Sequence, residues 1–217
     1  MSRAPFSFSL VAAVALVATV PLATLSAAIK FTSTWKSMDS GSVSFAGKKV
    51  AALVISQDDS LRMSGEESLV RELSARGLQA VATYRIAPKE ELARPETAKP
   101  WFEKAGVEGI VALRPVSVDT QRTYTPSVWV SSSYNTLWGY YGYGWTTSTV
   151  FVPGGSSRVE TNVVVETTIY SVPRNQLLWG AVTESTDARS LQTFIAELVK
   201  QSVEALHEQG LAKRTLK

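Results

Sequence analysis

Three short apolar segments, separated by stretches with helical signals, constrain the fold of this chain more than any other feature of its sequence. The segments Val50–Ile55, Leu78–Tyr84 and Gly109–Val118 have the apolar or alternating character of buried strands. Between them, Ser64–Glu67 has the pattern of a capping box that begins a helix, and Pro100–Gly106 has the residues that begin and end a short one. This β-α-β-α-β order predicts a parallel sheet with right-handed crossovers.

A different pattern follows residue 158, where side chains alternate along the chain with a period of two. Val165 lies on one face of this segment and Glu166 and Tyr170 lie on the other, which predicts a strand with one buried face and one largely solvated face. A turn at 172–176 and a return strand at 177–184 complete a predicted β-hairpin.

These elements predict a single α/β domain over residues 48–217, with a mixed sheet of about five strands and flanking helices. Residues 29–47 are polar with isolated aromatic side chains, and we predict an extended arm that packs onto the domain. Residues 119–157 are predicted to be an aromatic-rich insertion. An apolar stripe after Asp187 predicts a last helix.

Residues 1–28 have the order of a secretory signal peptide. Arg3 precedes an apolar run at 6–20, and small residues at 26–28 suit a signal peptidase. We therefore expect export to the periplasm, with association with the cell envelope. The alternative is an uncleaved run that remains as a membrane anchor.

The composition gives little support to enzymatic, metal or nucleic-acid chemistry. The chain has no Cys and one His, which excludes the common zinc and iron–sulfur sites, and its net charge of +3 comes from dispersed residues rather than a basic groove. Ser33–Lys36 matches an S-x-x-K motif without its partner motifs, and His207 is best explained by a position near a helix end. Asp58, Asp59 and Arg62 follow the first strand, where a turn into the helix is favoured over a ligand site. We predict no catalytic residue, no cofactor and no enzymatic activity.

Residues 123–157, called the aromatic segment below, contain no Asp, Glu, Lys or Arg and half of the six Trp of the chain. Tyr and Trp combine an apolar body with a polar tip, and interspersed Gly favours exposure, so we predict an interaction surface. Four uses stay open: additional core, a lipid interface, a protein–protein contact, or stacking on the sugar rings of a glycan. Two strands at 127–133 and 146–152, or a long irregular loop, are predicted within the segment. The predicted surface consists of Tyr134, Trp138, Tyr140, Tyr141, Tyr143 and Trp145.

Several pieces of the chain together resemble a largely uncharacterised family of small Gram-negative envelope lipoproteins. The pieces are the signal ending at Leu25–Ala28, the motif Phe31–Lys36, the strand–helix unit Lys48–Tyr84, the Tyr/Gly/Trp-rich insertion and the hairpin sequence Glu166–Gly180. The β/α order is also similar to the N-terminal domain of TolB and to the curli-secretion lipoprotein family. In the latter family, insertions of this kind form membrane β-hairpins in a ring.

The resemblance implies a non-enzymatic envelope protein that binds or assembles through the aromatic segment. From the aromatic segment we predict an envelope protein, a glycan or a lipid interface as the partner, and a homo-oligomer is also predicted. Lipoproteins of this kind carry Cys where this chain has Ala28, so we do not expect lipidation there. The alternative function is a subunit of a ring-forming outer-membrane assembly, in which the aromatic segment forms a membrane β-hairpin.

Overall fold

The computed structural model describes residues 29–116, 129, 131–147, 163–185, 197–201, 204 and 207. These residues form one mixed sheet of six strands with helices on both faces, which confirms the predicted α/β class. The predicted signal peptide at 1–28 and the predicted helix start at Asp187 lie outside the described residues. No helix within the described ranges is long and apolar enough to cross a membrane.

The sheet has the strand order β1-β6-β5-β4-β2-β3. Its strands are β1 (Ile29–Lys36), β2 (Lys49–Val54), β3 (Gln79–Ala82), β4 (Val107–Val116), β5 (Val163–Ser171) and β6 (Gln176–Ser185). The α-helices are α1 (Asp59–Ala75), α2 (Lys89–Leu92), α3 (Pro95–Lys104), α4 (Ser132–Asn135) and α5 (Leu137–Thr147), and short 3-10 helices lie at Met38–Ser42 and Thr83–Arg85. Residues 129, 197–201, 204 and 207 are also helical.

The parallel half of the sheet has the predicted order, because β2 pairs in parallel with both β3 and β4. The start of α1 differs from the prediction of a capping box at Ser64. The Asp58 carboxylate accepts a hydrogen bond from the Leu61 backbone N–H at 3.1 Å and so caps the helix directly after β2. Ser64 therefore falls inside the helix, where its hydroxyl donates to the Leu61 carbonyl at 3.2 Å.

The antiparallel half contains the predicted hairpin of β5 and β6, and β5 also pairs with β4. The hairpin turn includes Asn175 at a φ of 48°, a left-handed conformation that Asn tolerates better than most residues. Residues 29–36 of the predicted arm form β1, an edge strand that pairs with β6. The sheet therefore has six strands rather than about five.

Both faces of the sheet are covered, which contradicts the prediction of a largely solvated face on β5. One face packs against α1 and the helical residues Leu198 and Val199, and the other packs against α2, α3, α4 and α5. Every residue from Val165 to Ser171 is buried, including the side of β5 that carries Glu166 and Tyr170. The alternation of polar side chains arises because this face meets the hydroxyl-bearing aromatic segment, and not because it meets water.

Candidate functional site

The described part of the aromatic segment is helical, so the predictions of two strands or an irregular loop are wrong for residues 131–147. α4 and α5 lie against the sheet face that carries Glu166 and Tyr170. The buried residues of α5 are spaced as i, i+3, i+4, i+7 and i+8, which is one face of an α-helix. They are Leu137, Tyr140, Tyr141, Gly144 and Trp145.

Glycines let α5 approach its neighbours closely. A Cβ at Gly142 would lie 3.1 Å from a ring carbon of Pro95 at the start of α3, and a Cβ at Gly144 would lie 2.7 Å from Ile55, which directly follows β2. Gly has a low helix propensity, but tertiary packing of an apolar face contributes more to helix stability than propensity does. The close contacts therefore stabilise α5 despite its glycines. The glycines that suggested an exposed strip are therefore packing positions.

Four of the six residues predicted to form an interaction surface are buried in the described structure, with 0–5% of their surface exposed. They are Tyr134, Tyr140, Tyr141 and Trp145. Trp138 and Tyr143 are half-buried. This arrangement fits the additional-core use of the aromatic segment, and it leaves Trp138 and Tyr143 as the two members that a partner can reach.

A buried ion pair lies between the aromatic segment and the sheet. Arg114 of β4 and Glu166 of β5 are directly opposite in the strand register, and their side chains are 4% and 0% exposed. The Nε and Nη2 atoms of Arg114 each lie 2.6 Å from Glu166 Oε2. Because both charges are removed from water, additional hydrogen bonds are needed to compensate the desolvation.

The aromatic segment supplies those additional hydrogen bonds. The Tyr134 hydroxyl donates to Glu166 Oε1 at 2.8 Å, and the Tyr140 hydroxyl donates to Glu166 Oε2 at 3.4 Å. Nη1 of Arg114 donates to the Thr147 hydroxyl at 3.1 Å. The network joins two strands to both helices, so it fixes the aromatic segment on the sheet.

The Tyr140 hydroxyl and the Arg114 guanidinium both keep the protonation state that their hydrogen bonds to Glu166 require. Burial raises the pKa of the Tyr140 hydroxyl well above its ordinary value, and the negative charge of Glu166 raises it further. Burial alone would lower the pKa of Arg114, but the charge of the Glu166 carboxylate raises it above the ordinary value. The phenol therefore stays a donor and the guanidinium stays charged at neutral pH.

Trp129 packs onto the sheet at a glycine of β6. A Cβ at Gly180 would lie 2.7 Å from the nearest atom of the Trp129 ring, and the Trp129 indole N–H donates to the Ser33 hydroxyl of β1 at 3.4 Å. The Trp129 ring is 5.3 Å from the Tyr134 ring in an edge-to-face contact. Glycine at this position therefore allows the aromatic segment to reach across β6 to the edge strand.

Gly180→Ala should lower the free energy of unfolding by about 1–3 kcal/mol, because the added methyl group displaces the buried Trp129 ring. Gly41→Ala is the matched control, since a Cβ there meets no atom within 4 Å and should change stability little. Urea unfolding followed by circular dichroism measures both. Equal midpoints for the two variants would contradict the packing of Trp129 on Gly180.

Trp138 lies in an open cleft of about 340 Å³ at the end of the sheet where β4 begins. The cleft is lined by Lys99, Glu103, Val107, Trp138, Val172, Pro173 and Asn175. The Asn175 side-chain carbonyl accepts a hydrogen bond from the Trp138 backbone N–H at 3.2 Å, which ties the hairpin turn to the start of α5. The cleft therefore brings the reachable indole of the aromatic segment together with charged and amide side chains.

The other residues that the sequence drew attention to have structural positions. Ser33 and Lys36 of the S-x-x-K motif lie on the edge strand β1, and Asp58 is the cap of α1. His207 is helical and half-buried. Across the residues that the structure describes, no group of three or more His, Cys, Asp or Glu side chains is placed to hold a metal ion.

No protein-family model and no curated protein matches this chain. Among solved structures, the fold is similar to that of the PelC dodecamer from Paraburkholderia phytofirmans, at 12% identity and a TM-score of 0.44 over 86% of this chain and 99% of that chain. A variant of the same PelC dodecamer gives 14% identity at the same TM-score and coverage. The lipoprotein GNA1162 from Neisseria meningitidis is similar at 13% identity and a TM-score of 0.37, over 74% of this chain and 99% of that chain. These similarities concern the fold alone.

Proposed function

We propose that this chain is a non-enzymatic protein of the cell envelope that binds a glycan in the cleft around Trp138. The observation that carries the proposal is that Trp138, a half-buried indole of the aromatic segment, lies in an open cleft with polar side chains around it. Export is supported by the signal-like order of residues 1–28.

The side chains of the cleft suit the chemistry of a sugar ring. A pyranose offers an apolar face that can stack on an indole, and its edge carries hydroxyls that donate and accept hydrogen bonds. Glu103 and Asn175 can accept, Lys99 can donate, and Lys99 and Glu103 are each more than half exposed. The cleft therefore offers one stacking surface with donors and acceptors at its rim.

The Trp138 ring is held in place before a ligand binds. It makes an edge-to-face contact with Phe102 at 5.9 Å between ring centres and a tilted contact with Tyr141 at 5.6 Å. A side chain that is already ordered loses little conformational entropy on binding, which favours affinity. The stacking surface is therefore pre-organised by the same packing that buries the rest of α5.

The size and charge of the cleft favour a glycan over the other partners predicted from the sequence. A volume of about 340 Å³ lies at the lower end of the range for small-ligand sites. Lys99 and Glu103 at the rim oppose insertion into the apolar part of a bilayer. One or two sugar units of a longer chain fit this space.

Trp138→Ala should weaken binding of a soluble oligosaccharide at least about tenfold, because it removes the stacking surface. Chitotetraose and soluble peptidoglycan fragments are suitable probes, and isothermal titration calorimetry on the purified protein measures the dissociation constant. Both probes present N-acetylated sugar rings in a linear chain.

Trp101→Ala is the matched control, since Trp101 is also half-buried but does not line the cleft. We expect this variant to bind both probes as the wild type does. Absence of binding by the wild-type protein, or equal affinity after Trp138→Ala, would refute the proposed function.

Homo-oligomerisation stays a prediction of the family resemblance. The alternative of a membrane β-hairpin in the aromatic segment finds no support in its described part, because α4 and α5 occupy residues 132–135 and 137–147.

A further inference from the structure

The carboxyl end of β2 is the place where the topology of the sheet divides. From β2 the chain passes through α1 on one face to β3, and it returns through α3 on the other face to β4 on the opposite side of β2. In open α/β sheets, a crevice forms at such a point and ligands bind there. This end of the sheet lies away from the Trp138 cleft, which is at the start of β4.

Arg62, on the first turns of α1, brings buried donors to this end of the sheet. The residue is 4% exposed, and its Nε and Nη1 atoms have no hydrogen-bond partner within the described part of the chain. Its Nη2 atom lies 3.5 Å from Asp59 Oδ1, at the limit of hydrogen bonding. A buried guanidinium with unpaired N–H groups is costly unless an acceptor meets it.

α5 adds two more buried polar groups to the same place. The Tyr141 hydroxyl and the Trp145 indole N–H are buried, and neither has a partner among the described residues. Gly144, between them on the helix, approaches Ile55 directly after β2. The Tyr141 and Trp145 rings lie 6.3 Å apart between their centres, and burial raises the pKa of Tyr141.

The carboxylates near Arg62 are already used by other donors. Asp58 accepts a hydrogen bond from the Leu61 N–H. Asp59 pairs with Lys89 Nζ at 2.8 Å, and about half of the Asp59 side chain is exposed. Glu66 accepts from the Tyr84 N–H at 2.9 Å, the Val54 N–H at 3.3 Å and the Thr83 hydroxyl. These contacts leave Nε and Nη1 of Arg62 without an acceptor among the described residues.

The unpaired groups are complementary to an acceptor rather than to a donor. A hydrogen bond from the Trp145 indole to the Tyr141 oxygen would still leave the Tyr141 hydroxyl hydrogen and both Arg62 groups without acceptors. The N-terminus of α1 adds a partial positive charge at the same end of the sheet. Unpaired buried donors beside a helix N-terminus are the properties of an anion site.

We propose that the carboxyl end of β2 binds an oxyanion, a phosphate or carboxylate group, whose oxygens accept hydrogen bonds from the Arg62 guanidinium and the Tyr141 hydroxyl. Trp145 is a third donor at its edge. The site joins the start of α1 to the aromatic segment, so a bound anion holds α5 against the end of the sheet. This proposal does not rest on glycan binding at Trp138, although the Tyr141 ring packs against the Trp138 ring at 5.6 Å.

Inorganic phosphate and sodium succinate, each compared with sodium chloride at equal ionic strength, are the probes for the two oxyanion classes. With the full-length purified protein, we expect at least one of them to raise the thermal unfolding midpoint in a concentration-dependent manner. Titration of ¹⁵N-labelled protein should move the Trp145 indole N–H resonance, identified by its loss in Trp145→Phe. A response to phosphate alone or to succinate alone decides which class the site prefers.

Arg62→Met should abolish the midpoint shift, and Tyr141→Phe should weaken the apparent affinity for the anion about tenfold while it keeps the ring packing. Arg71→Met, at an exposed arginine of the same helix, is the matched control and should respond as the wild type does. If Arg62→Met does not fold, Tyr141→Phe alone decides the result. No shift with either probe in the wild type, or an unchanged affinity in Tyr141→Phe, overturns the proposal.

Discussion

Replacing Glu166 with Leu should lower the free energy of unfolding by about 3–5 kcal/mol, since it leaves one partner of a buried ion pair without the other. The Arg114 guanidinium is only 4% exposed, and it remains as a buried charge because arginine stays protonated at neutral pH. Tyr134 and Tyr140 lose their carboxylate acceptor in the same step. Equilibrium unfolding in urea at pH 7, followed by far-UV circular dichroism, measures the loss.

The double variant Arg114→Met/Glu166→Leu should recover part of that loss, because apolar residues of similar volume remove both desolvated charges together. Glu108→Leu provides an exposed comparison, since Glu108 pairs with Lys48 and both side chains are at least 40% exposed. That substitution should change the free energy of unfolding by no more than about 1 kcal/mol. If Glu166→Leu falls within the same range, the ion pair does not fix the aromatic segment on the sheet.

The parallel half of the fold could be predicted because its signals are local. The apolar run at 50–55 contains most of β2, and the run at 109–118 overlaps β4. The length of these runs and the helical signals between them were therefore sufficient to predict parallel strands connected by helices. The hairpin of β5 and β6 was predictable from alternation and a polar turn. Each of these signals is complete within about ten residues of the chain.

Features that depend on distant partners could not be predicted in the same way. β1 has a sequence typical of an extended arm, and it becomes a strand because β6 offers a free edge about 150 residues later. A charged residue such as Glu166 on an alternating strand predicts a solvated face. In the structure the aromatic segment covers that face of β5, and Tyr134 hydrogen-bonds to Glu166. The buried side of β5 is thus specified by residues outside β5.

The composition of the chain identified the aromatic segment as the candidate site, but it did not predict that this segment is helical and mostly buried. The absence of charge and the many Tyr and Trp identified the aromatic segment, whereas its glycines suggested exposure. The spacing of Leu137, Tyr140, Tyr141 and Trp145 was the signal that could have predicted α5. The packing of Gly144 of α5 against Ile55 after β2 is a tertiary contact for which neither segment carries a local pattern.

The combined substitution of Tyr140, Tyr141 and Trp145 with Ser should abolish cooperative folding. Each large aromatic residue removed from a core costs about 3–5 kcal/mol, and a domain of this size is stable by only about 5–15 kcal/mol. All three side chains are at most 5% exposed, and Tyr140 also contributes to the Glu166 network. Differential scanning calorimetry and near-UV circular dichroism on the purified protein measure the loss.

The double variant Trp138→Ser/Tyr143→Ser is the comparison for the triple variant, because it replaces the half-buried aromatic residues of α5 and leaves the buried ones in place. Both side chains are half-buried, and the Tyr143 ring lies 5.1 Å from the Arg114 guanidinium and 5.6 Å from the Tyr134 ring. We expect this variant to unfold cooperatively with a stability reduced by only about 1–3 kcal/mol. If the triple variant instead folds as the double variant does, then α5 is not part of the core. The aromatic segment would then be an exposed contact surface, as its composition first suggested.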